Sequence, residues 1–138
     1  MISIRKADGI AGDINISGAK NASLPIIVAA CLADGEVRLT NVPVELNDVQ
    51  VLVAVLKELG FFIDQDGHEL LFRNSLIQHV NSHVSTEASK IRSSLLLLPL
   101  LLSLNGQVVN PLPGGCNLGD RKYDIHLDLL QKMGAQII

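Results

Sequence analysis

Tryptophan is absent from this chain, and aromatic residues fill only 3% of its 138 positions. A single-stranded nucleic-acid platform needs exposed rings on which bases stack, so that class is disfavoured. Basic runs are missing too. The formal net charge is −3 and the sequence pI is about 5.7, which leaves nothing to recruit a nucleic-acid backbone or an anionic membrane. No apolar run approaches the roughly 20 residues that a bilayer span needs; the longest, residues 95–102, is interrupted by Pro99. The opening Met-Ile-Ser-Ile-Arg-Lys has a basic pair but no apolar region behind it, so no signal peptide and a cytoplasmic location are expected. Cysteine is scarce. Cys31 lies in the apolar Ile-Ile-Val-Ala-Ala-Cys-Leu and Cys116 in a Gly-rich loop; in a reducing compartment both are expected to be free.

Aliphatic residues are plentiful. Hydrophobic positions reach 48% and charged ones 18%, enough for one domain with a core of Leu, Ile, Val and Ala in a layered α/β fold. Residues 1–16 read as a strand pair, with Ile2 and Ile4, then Ile14 and Ile16, alternating around turns at Asp8-Gly9 and Gly12-Asp13. Over residues 17–73 the pattern predicts a helix at 22–32, buried on most sides, with Pro25 in its first turn, and a strand at 36–40. A second helix follows, capped by Asn47 or Asp48, with Val49, Leu52, Val53, Leu56 and Leu59 on one face. Strands at 61–63 and 69–72 then join through Asp66-Gly67.

The same order restarts over residues 74–138. An apolar helix at 92–104 ends at Gly106, a strand covers 107–110, and a Pro- and Gly-rich loop follows. A helix at 124–133 is expected to turn Ile125, Leu129 and Leu130 inward, and 135–138 begins another strand. Lys57-Glu58-Leu59-Gly60 is echoed by Gln131-Lys132-Met133-Gly134, so the chain reads as an internal repeat of about seventy residues with an incomplete second copy. Either the last strand pairs with something outside the chain or the chain is a piece of something longer. An exposed apolar face, covered by self-association, is expected in consequence.

The segment Asn110-Pro-Leu-Pro-Gly-Gly-Cys-Asn-Leu-Gly-Asp-Arg-Lys-Tyr-Asp-Ile-His126 concentrates the chemistry. Cys116 stands in a loop too rich in Gly and Pro for helix or strand. Backbone N–H groups around Gly114, Gly115 and Gly119, with the Arg121 and Lys122 cations, suit an activated thiol and an anionic ligand. The alternative is a tight turn that happens to hold a cysteine. A basic residue also opens each apolar helix, Lys20 in the first copy and Arg92 in the second; helix N-termini favour phosphate and carboxylate, although both cations also fit a solvated flank. His79 and His83 have the i, i+4 spacing of a metal pair but no third ligand nearby, so no metal is expected. His126 can serve a site or point to solvent, His68 belongs to a hairpin turn, and Asp64, Asp66 and Glu69 read as hairpin surface.

Three segments, Ser17-Gly18-Ala19-Lys20-Asn21-Ala22, Ile91-Arg92-Ser93-Ser94 and Leu112-Pro113-Gly114-Gly115-Cys116-Asn117-Leu118-Gly119-Asp120-Arg121, together resemble the UDP-N-acetylglucosamine enolpyruvyl transferase family over essentially the whole chain. The resemblance implies transfer of enolpyruvate from phosphoenolpyruvate to the 3′-hydroxyl of UDP-N-acetylglucosamine, the first committed step of peptidoglycan precursor synthesis, with no metal or organic cofactor. It implies an inside-out α/β barrel built from βαβαββ units, with residues 1–16 packing on a second domain. Lys20 and Asn21 would contact phosphoenolpyruvate, and Lys20 would neutralise its charge. Arg92, Arg121, Lys122, Tyr123, Asp124 and Ile125 would hold the nucleotide sugar. Cys116 would be the mobile-loop thiol, acting as general acid or forming an adduct, and the position that fosfomycin alkylates. Two departures stand out. Lys122-Tyr123 replaces the family's usual proline after the arginine, and the second domain's catalytic aspartate and arginine have no counterpart here, so a short homologue that binds a nucleotide sugar or a partner chain without turnover is the other reading.

Overall fold

A computed structural model describes residues 1–114 and 123–138. Helix α1 (Lys20–Ala30) forms because Leu24, Ile27, Val28 and Cys31 recur at helical spacing and bury one stripe. It starts two residues before the expected position, so Pro25 falls inside the helix instead of its first turn. The missing proline N–H leaves the Asn21 carbonyl without its usual donor. That side is open to water: Ala22, Pro25, Ile26 and Ala29 are all exposed, which corrects the expectation of burial on most sides.

Strand β1 (Glu36–Leu39) leads to α2 (Asn47–Glu58), which buries Val49, Leu52, Val53, Leu56 and, just past its end, Leu59, as the spacing predicts. Strands β2 (Ile63–Asp66) and β3 (Glu69–Arg73) close a hairpin over Gly67 and His68. The sheet runs β1-β3-β2, antiparallel throughout, with Val37 and Ile63 both opposite Phe72, and Leu39 opposite Leu70. Leu70, Phe72 and Ile63 face the helices and are buried. The other face is polar apart from half-buried Leu71, and there Arg38 pairs with Glu69 while Arg73 reaches both Asp64 and Glu36. β1 and β3 alternate as a half-buried sheet demands, while β2 buries only Ile63.

Helical segments after β3 pack on α1 and α2. Three 3₁₀ segments (Asn74–Leu76, Thr86–Lys90 and Arg92–Leu96) precede α3 (Leu97–Asn105), and Ile91, Leu97, Leu100 and Leu101 join the core of α1 and α2. The expected helix over 92–104 thus opens as a tight 3₁₀ turn, in which the buried Ser94 hydroxyl donates to the Ile91 carbonyl at 2.9 Å. Asn74 ties the segment after β3 to the end of α1: its Nδ2 donates to the carbonyls of Ala30 (2.8 Å) and Ala33 (2.7 Å), and its N–H to the Gly35 carbonyl (3.0 Å).

Four expected features differ, each for want of a partner layer. Residues 1–16 form no strand, and Ile2, Ile4, Ile10, Ile14 and Ile16 are exposed; a lone hairpin is marginal without a sheet or helix against its apolar face. Residues 107–110 make one parallel rung instead of a strand, with Val84 N–H donating to Val109 and Val109 N–H to Ser82. Residues 135–138 are extended without pairing in any described sheet. Helix α4 (Asp124–Lys132) forms, but Ile125 and Leu129 are 80% and 57% exposed and Leu130 only half-buried, so its apolar stripe does not face inward.

Candidate functional site

The approach to α1 is fixed by two close contacts. Asn41, in the left-handed region at φ 55°, donates from Nδ2 to the Ile16 carbonyl at 3.3 Å. A Cβ on Gly18 would stand 2.0 Å from the Asn41 carbonyl oxygen, so only glycine lets the chain pass there. Ala19 then serves as N-cap: its carbonyl accepts N–H bonds from Ala22 and Ser23 and the Ser23 hydroxyl. Lys20 is therefore the first helical residue.

Its ammonium Nζ donates to Asp48 Oδ2 at 2.8 Å, with the two side chains 43% and 35% exposed. Asp48 is the second residue of α2, so the pair ties the starts of both helices together. A cation at a helix N-terminus opposes the macrodipole, and the carboxylate beside it offsets that opposition. Asn21 lies next to Lys20 and is exposed.

Arg92 is the first residue of its 3₁₀ segment, which packs on both α1 and α2. The cation is half-buried. Downstream, a Cβ on Gly114 would lie 1.9 Å from the Ser89 carbonyl oxygen, which sets residue 114 against the turn that leads into Arg92. Cys116, Arg121 and Lys122 lie outside the described residues. The chain resumes at Tyr123, half-buried, whose carbonyl accepts the N–H groups of His126 and Leu127 and opens α4; Asp124 and Ile125 are exposed in its first turn. The structure thus brings Lys20 and Arg92 onto adjoining elements, and it holds the near end of the cysteine loop beside Arg92's segment.

Other candidates separate from this group. Burial pushes the Cys31 thiol up to about 12 from 9.0, so it is a protonated core residue. His79 and His83 are both exposed, and no group of three metal-ligating side chains occurs among the described residues. Two hollows, of about 250 Å³ beside Cys31, Asn74 and Leu104 and about 320 Å³ beside Ser23, Arg38 and Val42, contain neither Lys20 nor Arg92. Sequence reasoning treated Asp48 only as a helix cap. Its pairing with Lys20, 28 positions away, carries no local signal.

The sequence pattern described as EPSP synthase (3-phosphoshikimate 1-carboxyvinyltransferase) matches residues 4–138. The chain belongs to the EPSP synthase family. Among its relatives, the UDP-N-acetylglucosamine 1-carboxyvinyltransferase of Psychromonas ingrahamii is 42% identical over 126 residues, 91% of this chain and 30% of that protein. The protein of the same name from Campylobacter jejuni strain 81-176 is 40% identical over 99% of this chain and 32% of its own length. The crystal structure of the enolpyruvyl transferase NikO from Streptomyces tendae superposes with a TM-score of 0.60 at 27% identity, over 70% of this chain and 22% of NikO. This family member therefore spans about a third of the relatives it matches. None of its described helices is long and apolar enough to cross a membrane.

Proposed function

We propose that this chain supplies one side of a site that transfers enolpyruvate from phosphoenolpyruvate to the 3′-hydroxyl of UDP-N-acetylglucosamine, releasing phosphate, in cytoplasmic peptidoglycan precursor synthesis. The observation that carries this reading is the 40% identity over 99% of the chain to a relative named for that nucleotide sugar. The geometry is consistent with it. Phosphoenolpyruvate is a polyanion whose phosphate leaves with the electron pair of the broken C–O bond, so the site needs cations aimed at the leaving group. Lys20 at the paired helix starts supplies one, with Asn21 as a neutral donor beside it. Arg92, Arg121, Lys122, Tyr123, Asp124 and Ile125 are assigned to the nucleotide sugar, and Cys116 to proton transfer or adduct formation. Residues 17–73 and 74–138 are the two repeats that carry these groups, and no cofactor is invoked.

A second reading has its own support. The apolar side of α4 is open, with Ile125 and Leu129 exposed, which favours binding of the nucleotide sugar or a partner chain without turnover. Intact-mass analysis after fosfomycin, with and without UDP-N-acetylglucosamine and with Cys116→Ala as control, separates the cases when run beside a phosphate-release assay. One adduct on Cys116, formed faster with the nucleotide sugar and accompanied by phosphate release, is the expected result. An accelerated adduct without phosphate release selects the binding-only homologue. Labelling indifferent to the nucleotide sugar overturns both.

A further inference from the structure

Lys20 reaches its position through a residue that neither the resemblance nor the relatives' names assign. We propose that Asp48 is a positioning residue, whose carboxylate holds the Lys20 ammonium at the joined starts of α1 and α2 and so presents it to the anionic substrate. This rests on the reading of Lys20 as a phosphoenolpyruvate contact. A lysine side chain is long, and at the first position of a helix it has no preceding turn to lie along. Left alone, it would sample many rotamers, and the positive end of its own helix would push the ammonium outward. The 2.8 Å contact to Asp48 Oδ2 removes that freedom. An ammonium carries three donors, so one bond to Asp48 leaves two for an incoming oxyanion.

Asp48 is itself well placed to stay. It lies in the first turn of α2, where the helix N-terminus favours a carboxylate, and α2 receives no side-chain cap from Leu46. The pair is only half-exposed, at 43% and 35%, and it ties two helices that also pack on each other in the core. The ammonium is thereby anchored to the scaffold and not merely to the chain that carries it.

The sign of one measurement distinguishes positioning from simple charge. Removing a carboxylate near an anion site should tighten anion binding if charge alone matters. Loss of the anchor should weaken it. Acetic anhydride labelling of Lys20, read by peptide mass, is followed against phosphoenolpyruvate concentration in the full chain, in Asp48→Asn and in Asp48→Glu. Without ligand, Lys20 is expected to label faster in Asp48→Asn than in the parent while Lys57 and Lys132 are unchanged. The phosphoenolpyruvate concentration that protects Lys20 is expected to rise about threefold in Asp48→Asn, the range of a partly exposed ion pair, and to return toward the parent value in Asp48→Glu. Protection at equal or lower phosphoenolpyruvate concentration in Asp48→Asn would overturn the positioning role and leave the substrate reading standing. No protection in the parent chain would overturn the substrate reading, and the positioning role with it.

Discussion

Replacing Asn74 tests how the segment after β3 is held to the end of α1. Its amide donates two hydrogen bonds, at 2.8 Å to the Ala30 carbonyl, which also accepts the Ala33 N–H at 3.4 Å, and at 2.7 Å to the Ala33 carbonyl just beyond α1. Each bond is worth about 1 kcal/mol net, so Asn74→Ala should lose about 2 kcal/mol. Two smaller effects oppose each other. The Ala33 carbonyl loses its donor and the Ala30 carbonyl keeps only the long bond from the Ala33 N–H, which adds to the loss, while Asn74 Oδ1, buried with no partner among the described residues, disappears and recovers part of it. Asn74→Asp sharpens the test because it keeps the size and replaces donors with an anion facing two carbonyl oxygens. It should cost about 3 kcal/mol or more near neutral pH, since a buried charge against acceptors is worse than an absent side chain. The folded state raises that carboxyl's pKa, so the penalty is full above the folded value and disappears as pH falls below the unfolded one. Urea unfolding followed by circular dichroism reads both variants. An Asn74→Ala change of under about 0.5 kcal/mol, the level of an ordinary surface site, or an Asn74→Asp chain as stable as the alanine variant at neutral pH, would refute the clamp.

Other outcomes follow from the same structure. Phe72→Ala, which empties the fully buried centre of the sheet, should cost about 3–5 kcal/mol in the same urea assay. Folded Cys31 keeps its proton to about pH 12 whereas the unfolded thiol loses it near 9.0; stability is therefore flat below about pH 9 on this account and falls above it, because only the unfolded state gives up the proton there. Since the unfolded chain binds fewer protons between those values, the slope is negative: ionisation draws the equilibrium toward unfolding, and the net result is a loss of stability with rising pH. Urea midpoints at about pH 8 and about pH 10, compared with Cys31→Ala lacking that slope, check the sign. Gly114→Ala forces a Cβ against the Ser89 carbonyl. Fosfomycin labelling of Cys116 should slow by about tenfold or more while the helical signal is unchanged, since ångström displacements of reacting groups act on that scale.

Much of residues 17–73 was legible in the sequence because period and burial there are settled within a few residues of each other. The five apolar positions of α2 and the β2–β3 hairpin are of this kind. The failures share a cause. Ile14 and Ile16 alternate as a strand should, and Ile125 and Leu129 repeat as a helix face should, but a pattern announces only the wish for a partner. Whether a partner layer exists is decided elsewhere in the chain. The site divides in the same way. Lys20 and Arg92 at the starts of their elements could be placed from the sequence, since helix starts are read locally. Asp48 and Asn74 act across 28, 41 and 44 positions, and nothing in their neighbourhoods marks them.

The strand order also bears on how the chain is made. Of the three described strands β3 is synthesised last and is the middle one in space, hydrogen-bonded to β1 on one side and β2 on the other. As the chain leaves the ribosome from its N-terminus, β1 and β2 both wait with their backbone groups unpaired until residues 69–73 emerge. The whole sheet then closes in a single step, and the Asn74 clamp arrives one residue later to lock it to α1.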